Sequence, residues 1–190
     1  MAKSKYSLLL QKSIQAVLSA IELYNKPVFS YREESFSILM VNAWELLLKA
    51  KKLKDNNGKL TCLYIPLSKK TKSEKPRQRF NYKTTKSGNY MTVGISDLIE
   101  QEIKDKNLKI QLETLVEIRD NAIHFVNASK YFEKQLLEVA IASLKSYKLI
   151  VYEWFEESLD KYDLFLIPIA FNPNTVKNVF LLWRQSYYEI

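Results

Sequence analysis

A chain of 190 residues, 47% of them hydrophobic, carries enough apolar surface for one domain with a substantial core and excludes a disordered polypeptide. Three glycines and five prolines are too few for a sandwich, a barrel or a glycine-rich phosphate loop; they point to long uninterrupted helices and a mainly all-α fold class. The single cysteine, Cys62, excludes an internal disulfide or a cysteine-based zinc cluster, the single histidine, His124, excludes histidine-rich metal sites, and 29 basic against 21 acidic residues leave a net charge of +8.

The first predicted element is an amphipathic helix from Ser7 to Asn25, in which Leu10, Ile14, Val17, Leu18, Ile21 and Tyr24 recur at intervals of three and four before Pro27 stops the pattern. The second runs from about Glu33 to Leu53 and is apolar on most sides, with Phe36, Leu39, Met40, Trp44, Leu47 and Leu48, which predicts the central, most buried helix. Asn56, Asn57 and Gly58 break it. Short β-leaning pieces from Leu60 to Pro66, near Phe80 to Lys83 and from Tyr90 to Val93, around Ser87-Gly88-Asn89, predict a small hairpin inserted between helices.

Helix resumes with Ser96 as the expected N-cap and runs to about Lys106. A fourth helix is expected from Asn107 to about Phe125 and a fifth, the longest, from Lys130 to about Leu159. Leu164 to Phe171 reads as an edge strand or extended segment and Thr175 to Tyr188 as a last helix. The organisation is thus a helical domain over 1–160 with an insertion at about 59–92, and a C-terminal segment over 161–190 that packs on it or leads to a removed region. The stop at Ile190, without a clear cap or polar tail, is what a shortened larger protein would show. Residues 6–10 are too short an apolar stretch for a signal peptide and no run approaches about 18 apolar residues, so no membrane contact is expected, and a lone thiol suits a reducing cytoplasm.

The charge is local. Lys59, Lys69, Lys70, Lys72, Lys75, Arg77, Arg79, Lys83 and Lys86 face one acid, Glu74, between Lys59 and Thr92, a surplus equal to the net charge of the whole chain. Tyr64, Phe80, Tyr82 and Tyr90 are interleaved with these cations, rings on which unpaired bases can stack while Lys and Arg neutralise phosphates. RNA is therefore the expected partner; the plain alternative is a solvated lysine-rich loop that maintains solubility.

Within the fourth helix stands Arg119-Asp120-Asn121-Ala122-Ile123-His124. Leu108, Leu112, Leu115, Arg119, Ala122 and Val126 share a stripe, which places the arginine toward the core, where a charged group is rare unless paired or functional. Its planar cation suits a phosphate oxygen, and His124 can give or take a proton near neutral pH. Asp120 precedes His124 by four residues, one turn away on the same face. Positions 119 and 124 nevertheless lie roughly 140° apart around an ideal helix. Either the helix ends or bends near Ala122, or a second subunit completes the cleft across a two-fold axis, the arrangement favoured here.

On the second helix Asn42, Glu45 and Lys49 form a polar stripe, either a solvated side with an i,i+4 ion pair or a lining beside Arg119 with Glu45 as its ligand. Trp44, Trp154 and Trp183 fall in apolar stripes and are expected in core or interface, and Cys62 lacks a nearby base and is given no role.

The phrase Arg119 to His124, with a polar residue directly after the arginine and late in a helical bundle, resembles the Arg-x4-6-His motif of the HEPN superfamily. Asn42-Ala-Trp-Glu-Leu-Leu-Leu-Lys-Ala50 is similar to that superfamily's earlier helix, and the phrasing from Tyr31 to Phe36, through Lys49 and on to His124, resembles a bacterial family with no assigned function. The resemblance implies a helical bundle over about residues 5–160, usually a homodimer, that cleaves RNA without metal or cofactor by transesterification at the 2′-hydroxyl, often as a toxin or antiviral effector. By that resemblance Arg119 and His124 take the catalytic roles and Asp120 the polar position beside the arginine, with Asn121, Asn42, Glu45 and Lys49 in support. Members without the motif serve as nucleotide-binding or interaction modules, the alternative reading of this chain.

Overall fold

The structure, a computed structural model, describes residues 4–26, 29–67, 82–124 and 130–162, with backbone alone at 123–124 and 130–137. It is mainly helical: α1 (Lys5–Tyr24), α2 (Arg32–Asp55), α3 (Ile95–Glu102), α4 (Lys106–His124) and α5 (Lys130–Phe155), with short 3-10 turns at Leu60–Leu63 and Asp160–Tyr162. The helix and extended segment expected between Leu164 and Tyr188 lie outside the described residues. Among the described residues no helix is long and apolar enough to cross a membrane.

α1 begins two residues before the apolar pattern does, because the Ser4 hydroxyl accepts from the Ser7 amide at 3.3 Å and caps the free amides of the first turn. α2 is the hub. It packs against α1, α3, α4 and α5, and Phe36, Met40, Val41, Trp44, Leu47, Leu48 and Leu53 along it are each at most 1% exposed, as a helix apolar on most sides requires. Glu33 and Glu34 in its first turn and Lys52 and Lys54 in its last complement the helix dipole. Asn57 and Gly58 then take positive φ, and the Gly58 amide reaches back to the Leu53 carbonyl at 2.7 Å, which ends the helix.

Two boundaries depart from the sequence pattern. α3 is capped by Gly94, not Ser96, since the Val93 amide is held by the Leu63 carbonyl at 2.9 Å and the first helical bond runs from Leu98 to the Gly94 carbonyl; Ser96 sits inside the first turn. It stops at Glu102 because Asp105 caps the next helix, its carboxylate accepting from the Leu108 amide at 2.6 Å. α5 ends at Phe155, four residues early, where Glu156 adopts φ +58.

Among its described residues the insertion forms isolated bridges and no sheet. Three isolated antiparallel bridges, Tyr64 with Thr92, Pro66 with Tyr82 and Thr84 with Tyr90, stand where a hairpin was expected. Pro66 has no amide to extend a ladder. The three segments instead close a ring: the Ile65 amide donates to the Met91 carbonyl at 3.0 Å, Met91 to Lys83 at 2.8 Å, and Lys83 back to Ile65 at 2.8 Å.

Inside the bundle the buried polar groups are matched across helices. The Ser13 hydroxyl donates to the Ala43 carbonyl at 2.6 Å, so it must accept from Tyr147, 2.7 Å away, and the Trp44 indole N–H donates to Ser143 at 2.8 Å. The Trp44 and Tyr147 rings meet edge to face at 5.4 Å, and burial pushes the Tyr147 phenol well above its ordinary value, so it stays protonated. Tyr147→Phe is expected to cost about 1 kcal/mol. Tyr147→Ala, which also opens a cavity, should cost about 3–5 kcal/mol. Urea unfolding of both variants checks this, and equal losses would show that the hydroxyl, not the ring, dominates.

Candidate functional site

The buried stripe of α4 is made by Leu112, Leu115, Ile118 and Ala122. Ile118 pulls the centre of that stripe away from position 119, so the arginine expected in the core stands at its edge, with its side chain 25% exposed. There the Arg119 Nε donates to the Asp120 carboxylate at 2.6 Å. Asp120 is 54% exposed, so the pair contributes at most about 1 kcal/mol; its effect is to hold the guanidinium along the helix surface.

α4 stays helical through His124, its last residue, so a bend near Ala122 does not bring positions 119 and 124 together. The His124 side chain lies outside the described residues. Its position continues the row formed by 113, 117 and 120 at helical spacing, while 119 lies roughly 140° around the axis. Asp120 therefore links the two: it binds the arginine and shares a row with the histidine position.

That row faces α3 across a cleft of about 290 Å³, lined by Ser96, Ile99, Glu113, Val116, Glu117, Asp120 and Asn121. Among the described residues three carboxylates and no basic residue line it. At the Glu113 and Glu117 end its field disfavours a phosphate, while Asp120 is paired with Arg119; the spacing of Glu113, Glu117 and Asp120 in the sequence already carries this acidic row.

On α2, Glu45 pairs with Lys49 at 2.6 Å, and the Lys49 ammonium also donates to the Thr92 hydroxyl at 2.9 Å. Two of the three residues in the polar stripe thus fasten the end of the insertion to the central helix, while Asn42 is exposed. The structure brings together Glu45 with Lys49 and Arg119 with Asp120 as two separate pairs.

Of the basic segment, Lys59, Lys83 and Lys86 are described and exposed; Lys69, Lys70, Lys72, Lys75, Arg77 and Arg79, with Phe80, lie outside the described residues. Tyr64, Tyr82 and Tyr90 converge. Tyr64 and Tyr90 lie 4.7 Å apart at 36°, and Tyr82 meets them edge-on at 5.2 and 5.7 Å. The sequence singled out these rings but not their mutual packing, because each arrives on a different segment of the backbone ring.

Trp44 is in the core as expected and Trp154 is half-buried beneath the Lys51 ammonium, whereas Trp183 is outside the described residues. Burial pushes the Cys62 thiol up, against a smaller opposing pull from Lys52, which disfavours the thiolate a nucleophile needs.

No curated protein and no solved structure matches this chain. A family model described as "Domain of unknown function (DUF3644)" matches residues 8–187, nearly the whole length, and the chain belongs to that family.

Proposed function

We propose that this protein is an endoribonuclease that needs no metal, in which Arg119 and His124 cleave RNA through the 2′-hydroxyl. The observation that carries the reading is the Asp120 carboxylate, which accepts from Arg119 Nε at 2.6 Å while standing one helical turn before His124. The resemblance of this helical chain to HEPN ribonucleases supports it.

In such a reaction the 2′-oxygen attacks phosphorus as its proton passes to a base. The P–O5′ bond breaks, and the products are a 2′,3′-cyclic phosphate and a 5′-hydroxyl. His124 takes the proton from the 2′-oxygen and delivers it to the departing 5′-oxygen, and Arg119 neutralises the charge that grows on the phosphorane oxygens. Asp120 orients the guanidinium. Asn121, Asn42, Glu45 and Lys49 are assigned supporting places, the last two by holding the insertion near the bundle.

Because α4 is continuous from Arg119 to His124, one copy cannot present both positions to one phosphate, and the proposal includes a homodimer whose cleft takes the arginine from one chain and the histidine from the other. Active-site complementation tests this. Arg119→Ala and His124→Ala chains, each inactive alone, should when co-expressed recover about a quarter of the wild-type rate, since half of the dimers are mixed and each has one intact site. No recovery from dimers shown to be mixed would place both groups within one chain.

The Glu113–Glu117 end of the α3–α4 cleft is assigned no phosphate. Glu113→Gln with Glu117→Gln is expected to leave RNA affinity unchanged or raise it up to about tenfold, measured by fluorescence anisotropy; a loss would put the RNA in that cleft. A cytoplasmic role as a toxin or antiviral effector follows from the resemblance. The convergence of Tyr64, Tyr82 and Tyr90 favours a second reading, a module that binds RNA without cleaving it.

A further inference from the structure

Tyr64, Tyr82 and Tyr90 each directly precede one member of the backbone ring formed by Ile65, Lys83 and Met91. The ring fixes three backbones at once, so the side chains before its members are set on a common cluster without relying on a long sheet. Tyr64 lies against Tyr90 at 4.7 Å with the two rings tilted by 36°, and Tyr82 meets Tyr90 edge to face at 5.7 Å. Tyr90 is still 53% exposed. A tyrosine serving only as the small core of the insertion would be buried; this one leaves half of its surface to solvent.

The surroundings match the rings in charge. From Tyr82 to Val93 the chain has two cations, Lys83 and Lys86, both exposed, and no acid. An aromatic face propped from behind, beside exposed ammonium groups, fits a planar base joined to a phosphate.

We infer that the exposed side of Tyr90 is a stacking platform for one base of a single-stranded nucleic acid, with Tyr64 and Tyr82 bracing the ring and Lys83 and Lys86 meeting the adjoining phosphates. The inference rests on the nucleic-acid reading of the basic segment and narrows its four candidate rings to one, Tyr90, braced by two of the others. Because the tyrosines are already packed together, little side-chain freedom remains to be lost on binding. Recognition of this kind tolerates any base, since every base has a π-face.

The test compares a labelled short 2′-O-methyl oligoadenylate, which lacks the hydroxyl needed for cleavage, with an abasic strand of equal length and charge. The wild-type protein is expected to bind the base-bearing strand about tenfold more tightly. Tyr90→Leu should erase that preference while leaving the salt dependence of binding unchanged, and Tyr90→Trp should keep it. Equal binding of the two strands by the wild type would overturn the platform and leave the nucleic-acid reading standing, whatever the variants do. Retention of the preference by Tyr90→Leu would also overturn it, and failure to bind either strand would remove both.

Discussion

Arg119→Ala is expected to lower RNA cleavage by about a hundredfold to a thousandfold with little change in stability, and His124→Ala by about a hundredfold to ten-thousandfold. The arginine's loss removes a cation matched to charge that develops in the transition state, and the histidine's removes the group that moves the proton. Arg119 stands at the edge of the buried stripe with its side chain 25% exposed, so shortening it opens no core cavity. Arg119→Lys keeps the charge but not the planar fork that Asp120 holds at 2.6 Å, and should recover only part of the rate. Cleavage assays beside thermal unfolding check this. Wild-type cleavage by Arg119→Ala would remove the arginine from the mechanism, and an unfolded variant would make it a structural residue.

Exchange of Lys69, Lys70, Lys72, Lys75, Arg77 and Arg79 for glutamine should abolish most of the RNA affinity without unfolding the bundle. The segment from Lys59 to Thr92 carries a surplus equal to the entire net charge of +8, so the rest of the chain has no net attraction for a polyanion. For single strands each phosphate contact contributes about 0.7 to the slope of log affinity against log salt, so losing six cations should flatten that slope by up to about 4 units. Affinity at moderate salt should fall at least roughly a hundredfold. An unchanged slope would assign the cations to solubility alone. The exchange leaves Tyr64, Tyr82 and Tyr90 in place, so it separates charge from stacking.

The local physics of single helices was legible in the chain. The all-round apolar character of α2 named Phe36, Met40, Trp44 and Leu47 as core before any fold was known, and each is buried. What the pattern missed was set by partners distant in sequence. Ser96 has the right chemistry for a cap, yet the tie between Val93 and Leu63 makes Gly94 the cap of the helix. Arg119 falls on the apolar repeat, yet Ile118 turns the stripe and leaves the arginine at its margin. Glu156 ends α5 in a left-handed conformation that its side chain does not advertise. The candidate site divides the same way: the Arg119–Asp120 pair joins sequence neighbours and the Glu45–Lys49 pair spans one turn, whereas the tyrosine cluster needs three segments between 64 and 90 to meet.

The central claim is tested most directly by incubating purified protein and its His124→Ala variant with mixed RNA in excess EDTA and identifying the product ends. The account predicts cleavage by the wild type alone, leaving 2′,3′-cyclic phosphate, or the 3′-phosphate formed by its hydrolysis, opposite 5′-hydroxyl ends. RNA that is bound but uncut, or cut equally by the variant, would contradict it.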